Sequence, residues 1–225
     1  MNSGPRTTAR PGSPAAEPAV LHQAAALCLT YPDEAFQERL PLLRAAAPAL
    51  HAFLDFAESV PPDELAAHYV RVFDFKSKHC LYLSWWTDGD TRRRGESLVR
   101  FKEAYRRHGL EFSDEELPDF LPAVLEFTAQ TGDVTLLREH RAGLELLRLA
   151  LAESGTPYGH VVAAVCATLP GPSPKDRAEA LALARSGPPR EEVGLAGLPP
   201  YGHLGLLPVV NGERAVTDGR TGDVG

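Results

Sequence analysis

Apolar residues recur at helical spacing from about Ala19 to Ser186, and glycines and prolines fall between the periodic segments. Leu65, Tyr69 and Val72, for example, form one stripe in a segment that Pro61 and Pro62 open. Such a period is typical of amphipathic helices, whereas a strand would show alternation with period two. No segment shows sustained alternation with hairpin signals. The sequence therefore predicts an all-α chain.

The two ends of the chain differ from this helical region. Residues 1–18 are rich in Pro, Ala, Gly and Ser and lack a continuous apolar core, so we expect a disordered leader rather than a secretory signal. From residue 187 onward Gly and Pro become frequent and the helical period is lost, which predicts a flexible tail over 187–225. An apolar patch at 201–210 could dock elsewhere, although a collapsed or disordered tail is favoured. The predicted domain is 19–186.

Two local features refine the helices. Pro118 and Pro122 follow closely after Ser113, and a proline inside a helix costs about 3 kcal/mol, so a new helix capped by Asp119 is more economical than a continuous one. Pro122 then falls in the first turn, where its missing N–H has no intrahelical partner. Further on, Leu137, Leu144, Leu147 and Leu151 predict one helix with Asp133 as its N-cap.

Charge and cysteine content exclude several classes of protein. The 225 residues carry 23 Lys and Arg against 30 Asp and Glu, a formal charge of −7. Phosphate binding needs a surplus of cations, so we expect no nucleic-acid partner, whereas a basic or amphipathic polypeptide is compatible. No apolar run approaches the roughly 20 residues that span a bilayer, which argues against stable membrane insertion. Cys28, Cys80 and Cys166 are far apart and predict reduced thiols, not a disulfide framework.

Signatures of catalysis are missing from the sequence. The eight histidines are dispersed without an HxxxH or HExxH pair, so we predict no metal site. No GxGxxG, Walker or GxSxG motif occurs, which argues against nucleotide binding and acyl transfer. The sequence thus predicts a protein that is not an enzyme and carries no cofactor.

One central block stands out. It runs from Tyr69 to Gly95 and contains both tryptophans, Trp85 and Trp86, before a polar Asp-Gly-Asp turn. An aromatic run is usually core, but adjacent tryptophans cannot both point the same way, so we expect one in a groove or partly exposed. A basic helix follows, and then an acidic stretch, 111–126, without Lys or Arg. The acidic stretch is either a solvated face paired with its neighbour or an acidic lip for a basic peptide.

At these residues the sequence resembles the delta-subunit (NarJ-type) chaperones of respiratory nitrate reductase, within a wider family of helical chaperones for molybdenum enzymes. Three blocks carry the resemblance, in order and spacing, with a similar Leu27–Pro32 segment before them. The blocks are 69–74 (YVRVFD), 81–95 (LYLSWWTDGDTRRRG) and 116–127 (ELPDFLPAVLEF).

The resemblance implies a single-domain helical bundle in the cytoplasm that is not part of the final enzyme. Members of the family bind the N-terminal segment of the nitrate reductase alpha subunit, keep it competent for molybdenum cofactor insertion and delay its docking to the membrane subunit. Three alternatives stay open: a chaperone of another molybdoenzyme with leader-peptide proofreading, an enzyme acting on the cofactor or a nucleotide, and a non-catalytic helical scaffold.

Helix-in-groove recognition needs an apolar trough with charges that fix orientation, and this suggests a client-binding set. The predicted apolar contacts are Tyr69, Phe73, Tyr82, Trp85 and Trp86. The predicted acidic lip comprises Glu116, Asp119 and Glu126. We assign Asp90 and Arg92 a structural role, in which local hydrogen bonds pin their loop.

Overall fold

The structure is a computed structural model that describes residues 16–112 and 116–186. Over these residues the chain forms α1 (Ala16–Cys28), α2 (Glu34–Ala46), α3 (His51–Ser59), α4 (Pro62–Phe73), α5 (Trp85–Asp88), α6 (Arg92–Arg107), α7 (Leu121–Thr131), α8 (Thr135–Glu139), α9 (Arg141–Glu153), α10 (Tyr158–Ala167) and α11 (Arg177–Ser186), with 3₁₀ turns at Pro48–Leu50 and Ser77–His79. The described part holds no strand beyond a single β-bridge, which confirms the predicted all-α fold.

The predicted leader and tail fall largely beyond this description. Residues 1–15, 113–115 and 187–225 lie outside the described residues, so the expectations for them stay predictions. The helical region begins three residues earlier than predicted, because α1 already includes Ala16, Glu17 and Pro18. None of the helices described is both long and apolar enough to cross a membrane.

Local sequence signals account for several helix boundaries. The Asp33 carboxylate accepts a hydrogen bond from the backbone N–H of Phe36 at 2.9 Å and so caps α2. Pro62 opens α4, where a proline costs no hydrogen bond. Pro122 lies in the first turn of α7, as predicted, and Gly132 ends that helix in the left-handed conformation with φ of +75°.

The core is built around α1. This helix packs most extensively on α7 and also contacts α10 and α2, while α9 packs on α10 and α11. A buried histidine joins three of these helices: the ring nitrogens of His22 lie 3.0 Å from Thr128 Oγ1 and 2.9 Å from Thr168 Oγ1. Burial lowers the pKa of His22, so near pH 7 the neutral ring donates its one N–H to one of the two hydroxyls and offers its other nitrogen as an acceptor.

The predicted boundaries of two helices are wrong. The leucine stripe from Leu137 to Leu151 is divided between α8 and α9, which meet at His140. Asp133 does serve the first of them, since its Oδ1 accepts the N–H of Thr135 at 2.9 Å. Asp119 does not cap α7: the residue flanking that helix is Phe120, and the Asp119 carboxylate is buried against Ser84 instead.

Candidate functional site

An aromatic cleft of about 550 Å³ opens between the end of α4 and two extended segments. One segment lies just before α5 and the other just before α7. Its lining residues are Tyr69, Phe73, Asp74, Phe75, Lys76, Ser77, Cys80, Leu81, Tyr82, Trp85, Glu116 and Phe120. Aromatic side chains dominate the lining and charged ones are few, a composition typical of binding pockets for apolar ligand groups.

The cleft collects most of the client-binding residues predicted from the sequence. Tyr69, Phe73, Tyr82, Trp85 and Glu116 all line it, although they come from three separate blocks. Tyr69 is the best buried of these aromatics; its hydroxyl donates to Leu29 O at 3.1 Å. Tyr69 and Phe73 pack on each other with ring centroids 4.9 Å apart. The blocks that carry the resemblance thus converge on one surface.

Backbone pairing joins two walls of the cleft. The N–H of Leu83 donates to Asp119 O at 2.9 Å, and the N–H of Leu121 donates to Leu81 O at 2.8 Å. These hydrogen bonds flank an antiparallel bridge between Tyr82 and Phe120, whose rings lie 5.4 Å apart. The short pairing therefore sets the spacing between the aromatic side chains of the two segments.

Glu116 and Asp74 are exposed carboxylates of the cleft, and one oxygen of Glu116 is already fixed. Oε1 accepts a hydrogen bond from the hydroxyl of Tyr82 at 3.0 Å and another from the N–H of Leu117 at 2.8 Å. Burial and the hydrogen bond to Glu116 raise the pKa of Tyr82 to about 12, so its hydroxyl stays a donor. Oε2 has no hydrogen-bond partner among the described residues and is available to a cation.

Asp119 does not belong to an exposed acidic lip, contrary to the prediction. Its side chain is fully buried, and Oδ2 accepts hydrogen bonds from the N–H of Ser84 at 3.1 Å and from the Ser84 hydroxyl at 2.5 Å. The guanidinium of Arg94 approaches the same oxygen at 3.7 Å. A buried carboxylate needs such partners, and through them Asp119 connects the two walls of the cleft from inside the protein.

Arg94 connects the buried contact between Asp119 and Ser84 to the cleft surface. Its guanidinium lies 5.5 Å from the ring centroid of Tyr82, a cation–π distance, and its Nε donates to Ser84 Oγ at 3.3 Å. Arg94 thereby holds both the buried carboxylate and the aromatic residue that binds Glu116. No feature of the sequence distinguishes Arg94 from the neighbouring arginines.

Trp86 and Glu126, also predicted to bind the client, lie away from the cleft lining. The indole N–H of Trp86 donates to Cys80 O at 3.0 Å, and its Cβ faces Gly143 of α9 so closely that a Cβ on that glycine would lie 2.6 Å away. Glu126 is exposed on α7, where Gln130 Nε2 lies 3.5 Å from its Oε1. Trp85 is therefore the tryptophan in the groove.

Asp90 and Arg92 do not pin their loop as predicted. Both are exposed, and neither side chain forms a hydrogen bond or ion pair in the described part of the chain. Asp88 holds the loop instead: its backbone O accepts the Thr91 hydroxyl at 2.8 Å, and its Oδ2 accepts the Ser97 hydroxyl at 2.7 Å.

The structure also shows cleft residues that the sequence analysis missed. Phe75 is 77% exposed at the rim, between Asp74 and Lys76, and Phe120 faces Tyr82 across the bridge. A signal for Phe120 was present, since it lies in the 116–127 block that carries the resemblance. Nothing in the local pattern distinguishes Phe75 from a core residue.

Metal-binding and redox chemistry find no support among the described residues. They contain no cluster of three or more His, Cys, Asp or Glu side chains that could hold a metal ion. The three cysteines are free; Cys28 and Cys166 are buried, and burial raises the pKa of the cleft thiol of Cys80. That thiol is therefore protonated at neutral pH.

The same helical fold occurs in the crystal structure of a protein assigned as a redox enzyme maturation protein from Archaeoglobus fulgidus. The TM-score is 0.56 at 21% identity, over 74% of this chain and 100% of that one. At this identity the likeness defines the class of fold.

Residues 36–164 match the family model described as nitrate reductase delta subunit, which covers more than half of the chain. The chain therefore belongs to the nitrate reductase delta-subunit family. This finding confirms the resemblance seen in the sequence.

Individual relatives agree with the family assignment. The nitrate reductase-like protein NarX of Mycobacterium tuberculosis is 38% identical over 157 residues, which cover 66% of this chain and 24% of NarX. The nitrate reductase molybdenum cofactor assembly chaperone NarJ of Escherichia coli (strain K12) is 34% identical over 113 residues, 45% of this chain and 48% of NarJ. Bacillus subtilis NarJ is 36% identical over 45% of this chain and 60% of its own length. The matched part thus spans between a quarter and three fifths of these relatives.

Proposed function

We propose that this protein is a non-catalytic assembly chaperone for a respiratory nitrate reductase. It binds the N-terminal segment of the immature alpha subunit in the cytoplasm, keeps the subunit competent for molybdenum cofactor insertion, and leaves before the subunit docks to the membrane. The names of its relatives and the family membership support the chaperone role. The observation that carries the choice of binding site is the convergence of Tyr69, Phe73, Tyr82, Trp85 and Glu116 on one cleft.

The cleft fits an amphipathic segment with one or more cations. Its aromatic lining can cover an apolar helix face, and aromatic residues in such pockets supply much of the binding energy in protein complexes. Glu116 presents Oε2 toward solvent while Oε1 is fixed by Tyr82 and Leu117. A preorganised carboxylate loses little side-chain entropy when it accepts a Lys or Arg, so it favours a basic residue beside the apolar face.

Two alternatives differ in what they bind. A chaperone for another molybdoenzyme, proofreading its leader peptide, would use the same cleft for a different sequence. A non-catalytic scaffold would bind no isolated peptide from an alpha subunit. Peptides from the two kinds of client therefore separate the three cases.

The first test is calorimetric titration of the whole chain with a peptide copying the N-terminus of the nitrate reductase alpha subunit encoded beside it. We expect saturable one-to-one binding that weakens as salt is added. Glu116→Gln should lower the affinity, by about fivefold, since an exposed charge pair contributes up to roughly 1 kcal/mol. Glu126→Gln is the matched control, because Glu126 is the same residue type and is exposed but lies outside the cleft lining.

Tryptophan fluorescence locates the bound peptide. Trp85 lines the cleft and Trp86 packs against Gly143, so a Trp86→Phe variant reports on Trp85 alone. We expect a spectral shift on binding in that variant. No binding to a correctly folded chain would reject the proposed client, and binding without a Trp85 signal or a Glu116 effect would reject the cleft as its site.

A further inference from the structure

Helix α6 is strongly basic in an acidic protein. From Arg92 to Arg107 it contains seven Lys and Arg residues against two Glu, whereas the whole chain has a formal charge of −7. Its buried side consists of Phe101, Ala104 and Tyr105. The positive charge is therefore concentrated on the outward side of one helix.

Five exposed arginines make up what we call the arginine face: Arg92, Arg93, Arg100, Arg106 and Arg107. None of the five forms a hydrogen bond or an ion pair with any residue in the described ranges 16–112 and 116–186. Arg94, by contrast, turns inward to Ser84 and Asp119. The fold therefore uses one arginine of this helix internally and leaves a row of guanidinium groups to solvent.

The N-terminal part of this face lowers the stability of α6, whereas Arg106 and Arg107 lie in the last turn, where cations are favourable. Arg92 and Arg93 occupy the first turn, which holds no acidic residue, and cations are unfavourable at the positive end of the helix dipole. Gly95 follows in the same region, although no described atom lies within 4 Å of the Cβ position it leaves empty. A helical glycine without a packing reason is a further local cost. Choices that oppose local stability are typical of functional surfaces.

We propose that the arginine face is a docking surface for a carboxylate-rich segment of a partner protein. Guanidinium groups bind carboxylates in a bidentate manner, which fits Arg better than Lys for this purpose. Val99, 53% exposed among the arginines, offers one apolar contact, and Gly95 allows a partner backbone to come close. This surface contains no residue of the aromatic cleft, so the inference does not rest on the proposed client binding there.

A groove beside the face gives it a concave shape. About 490 Å³ lies between α6 and α8, with Arg100, Arg106 and Arg107 on one wall. Three carboxylates also line the groove, Glu103 on the α6 wall and Asp133 and Glu139 opposite it, so an acidic segment finds its excess of positive charge on the outer part of the face. Ala104 and Leu136, both buried, form an apolar floor between the walls.

An anionic membrane is the other class of partner that a basic helix can meet, and the structure favours a protein. Amphipathic helices bind membranes by inserting their apolar side between lipids. The apolar side of α6 is already buried in the core, and Val99 is its single large exposed hydrophobic residue. Membrane attraction would therefore rest on charge alone.

Fluorescence anisotropy of the whole chain with a fluorescein-labelled helical peptide, rich in Glu and with one central Leu, tests the proposal. We expect Arg92→Glu with Arg106→Glu to weaken binding by about tenfold or more, because charge reversal replaces attraction by repulsion. Arg39→Glu with Arg177→Glu is the matched control, since both residues are exposed, lie on α2 and α11, and change the net charge equally. Val99→Ser, which alters no charge, should cost about two- to fivefold through lost apolar contact.

Each contrary result overturns the proposal. Equal losses of peptide affinity in the two double charge reversals would indicate general attraction by charge rather than docking at this face. An unchanged affinity in Val99→Ser would indicate the same. Failure of the wild-type chain to bind the acidic peptide would rule out the arginine face as a docking surface for such segments. Vesicles containing phosphatidylserine provide the last arm: binding to vesicles that depends on the arginine face, without peptide binding, would assign the face to a membrane.

Discussion

The carboxylate of Asp119 accepts two hydrogen bonds from Ser84, one from its backbone N–H at 3.1 Å and one from its hydroxyl at 2.5 Å. The two residues lie in the segments that form opposite walls of the aromatic cleft. Their contact, with Arg94 close by, ties these walls together from the buried side. The spacing of the cleft walls therefore depends on a buried polar contact outside the cleft lining.

Asp119→Ala should destabilise the fold by about 2–3 kcal/mol, because Ser84 and Arg94 lose a buried partner. Ser84→Ala should cost less, about 1 kcal/mol, since the backbone N–H of residue 84 still reaches the carboxylate. Urea denaturation monitored by circular dichroism measures both. Glu126→Ala, on the surface of α7, is the control and should change stability by less than about 0.5 kcal/mol. Equal losses of stability in Asp119→Ala and Glu126→Ala would contradict the role of Asp119 in connecting the two walls.

Gly143→Ala should destabilise the protein, by about 1–3 kcal/mol, because the new Cβ would lie 2.6 Å from the Cβ of Trp86. Gly95→Ala should do the opposite and stabilise by about 0.5–1 kcal/mol, since alanine favours helix and meets no described atom there. Both are helical glycines, so the pair separates packing from propensity. Thermal unfolding of the two variants gives the answer, and a destabilising Gly95→Ala would show that residue 95 is packed after all.

Acid should destabilise the protein through its buried imidazoles. Burial lowers the pKa of His140 to about 4, so the folded state keeps this ring neutral where the unfolded chain already binds a proton. Stability contributed by neutral His140 is then complete above about pH 6.5 and falls as the pH drops toward 4, by up to about 1.4 kcal/mol per pH unit. Burial also lowers the pKa of His22 and His68, which act in the same direction.

His140→Gln should flatten this decline between pH 6.5 and 4, and His160→Gln, at an exposed position on α10, should leave it unchanged. Urea titrations at several pH values provide the comparison. Parallel pH profiles for the wild type and His140→Gln would rule out His140 as a source of the acid sensitivity.

Tyr82→Phe should weaken binding of the basic alpha-subunit peptide while leaving the fold intact. The change removes the hydroxyl that donates to Glu116 at 3.0 Å but keeps the ring that packs on Phe120. Glu116 then loses part of its preorganisation, and we expect about a three- to fivefold loss of affinity by calorimetry. Tyr31→Phe, at an exposed tyrosine outside the cleft lining, should bind as the wild type does.

Much of the cleft could be anticipated because its aromatic residues stand out against a helical background. Tyr69 and Phe73 share a helix face, and Trp85 lies in an aromatic block next to Tyr82. The local pattern suffices for such residues, since helical period and aromatic density are both visible along the chain.

The burial of Asp119, in contrast, has no signal in the local sequence. An aspartate after Pro118 and before an apolar helix looks like a cap or a solvated acid, and only the pairing of its segment with that of Ser84 buries it. This contact joins residues far apart in sequence, so no local pattern predicts it. The helix break at His140 is equally hidden, because the leucine residues keep their helical spacing across the boundary between α8 and α9.

The short pairing between the cleft walls has a consequence for dynamics. Two amides, those of Leu83 and Leu121, form the backbone hydrogen bonds that flank the Tyr82–Phe120 bridge. A pairing this short opens without unfolding the helices around it, and amide hydrogen exchange detects such local opening. Exchange at these two positions therefore reports how often the pairing between the walls opens, and a ligand that bridges the walls slows the exchange of both amides together.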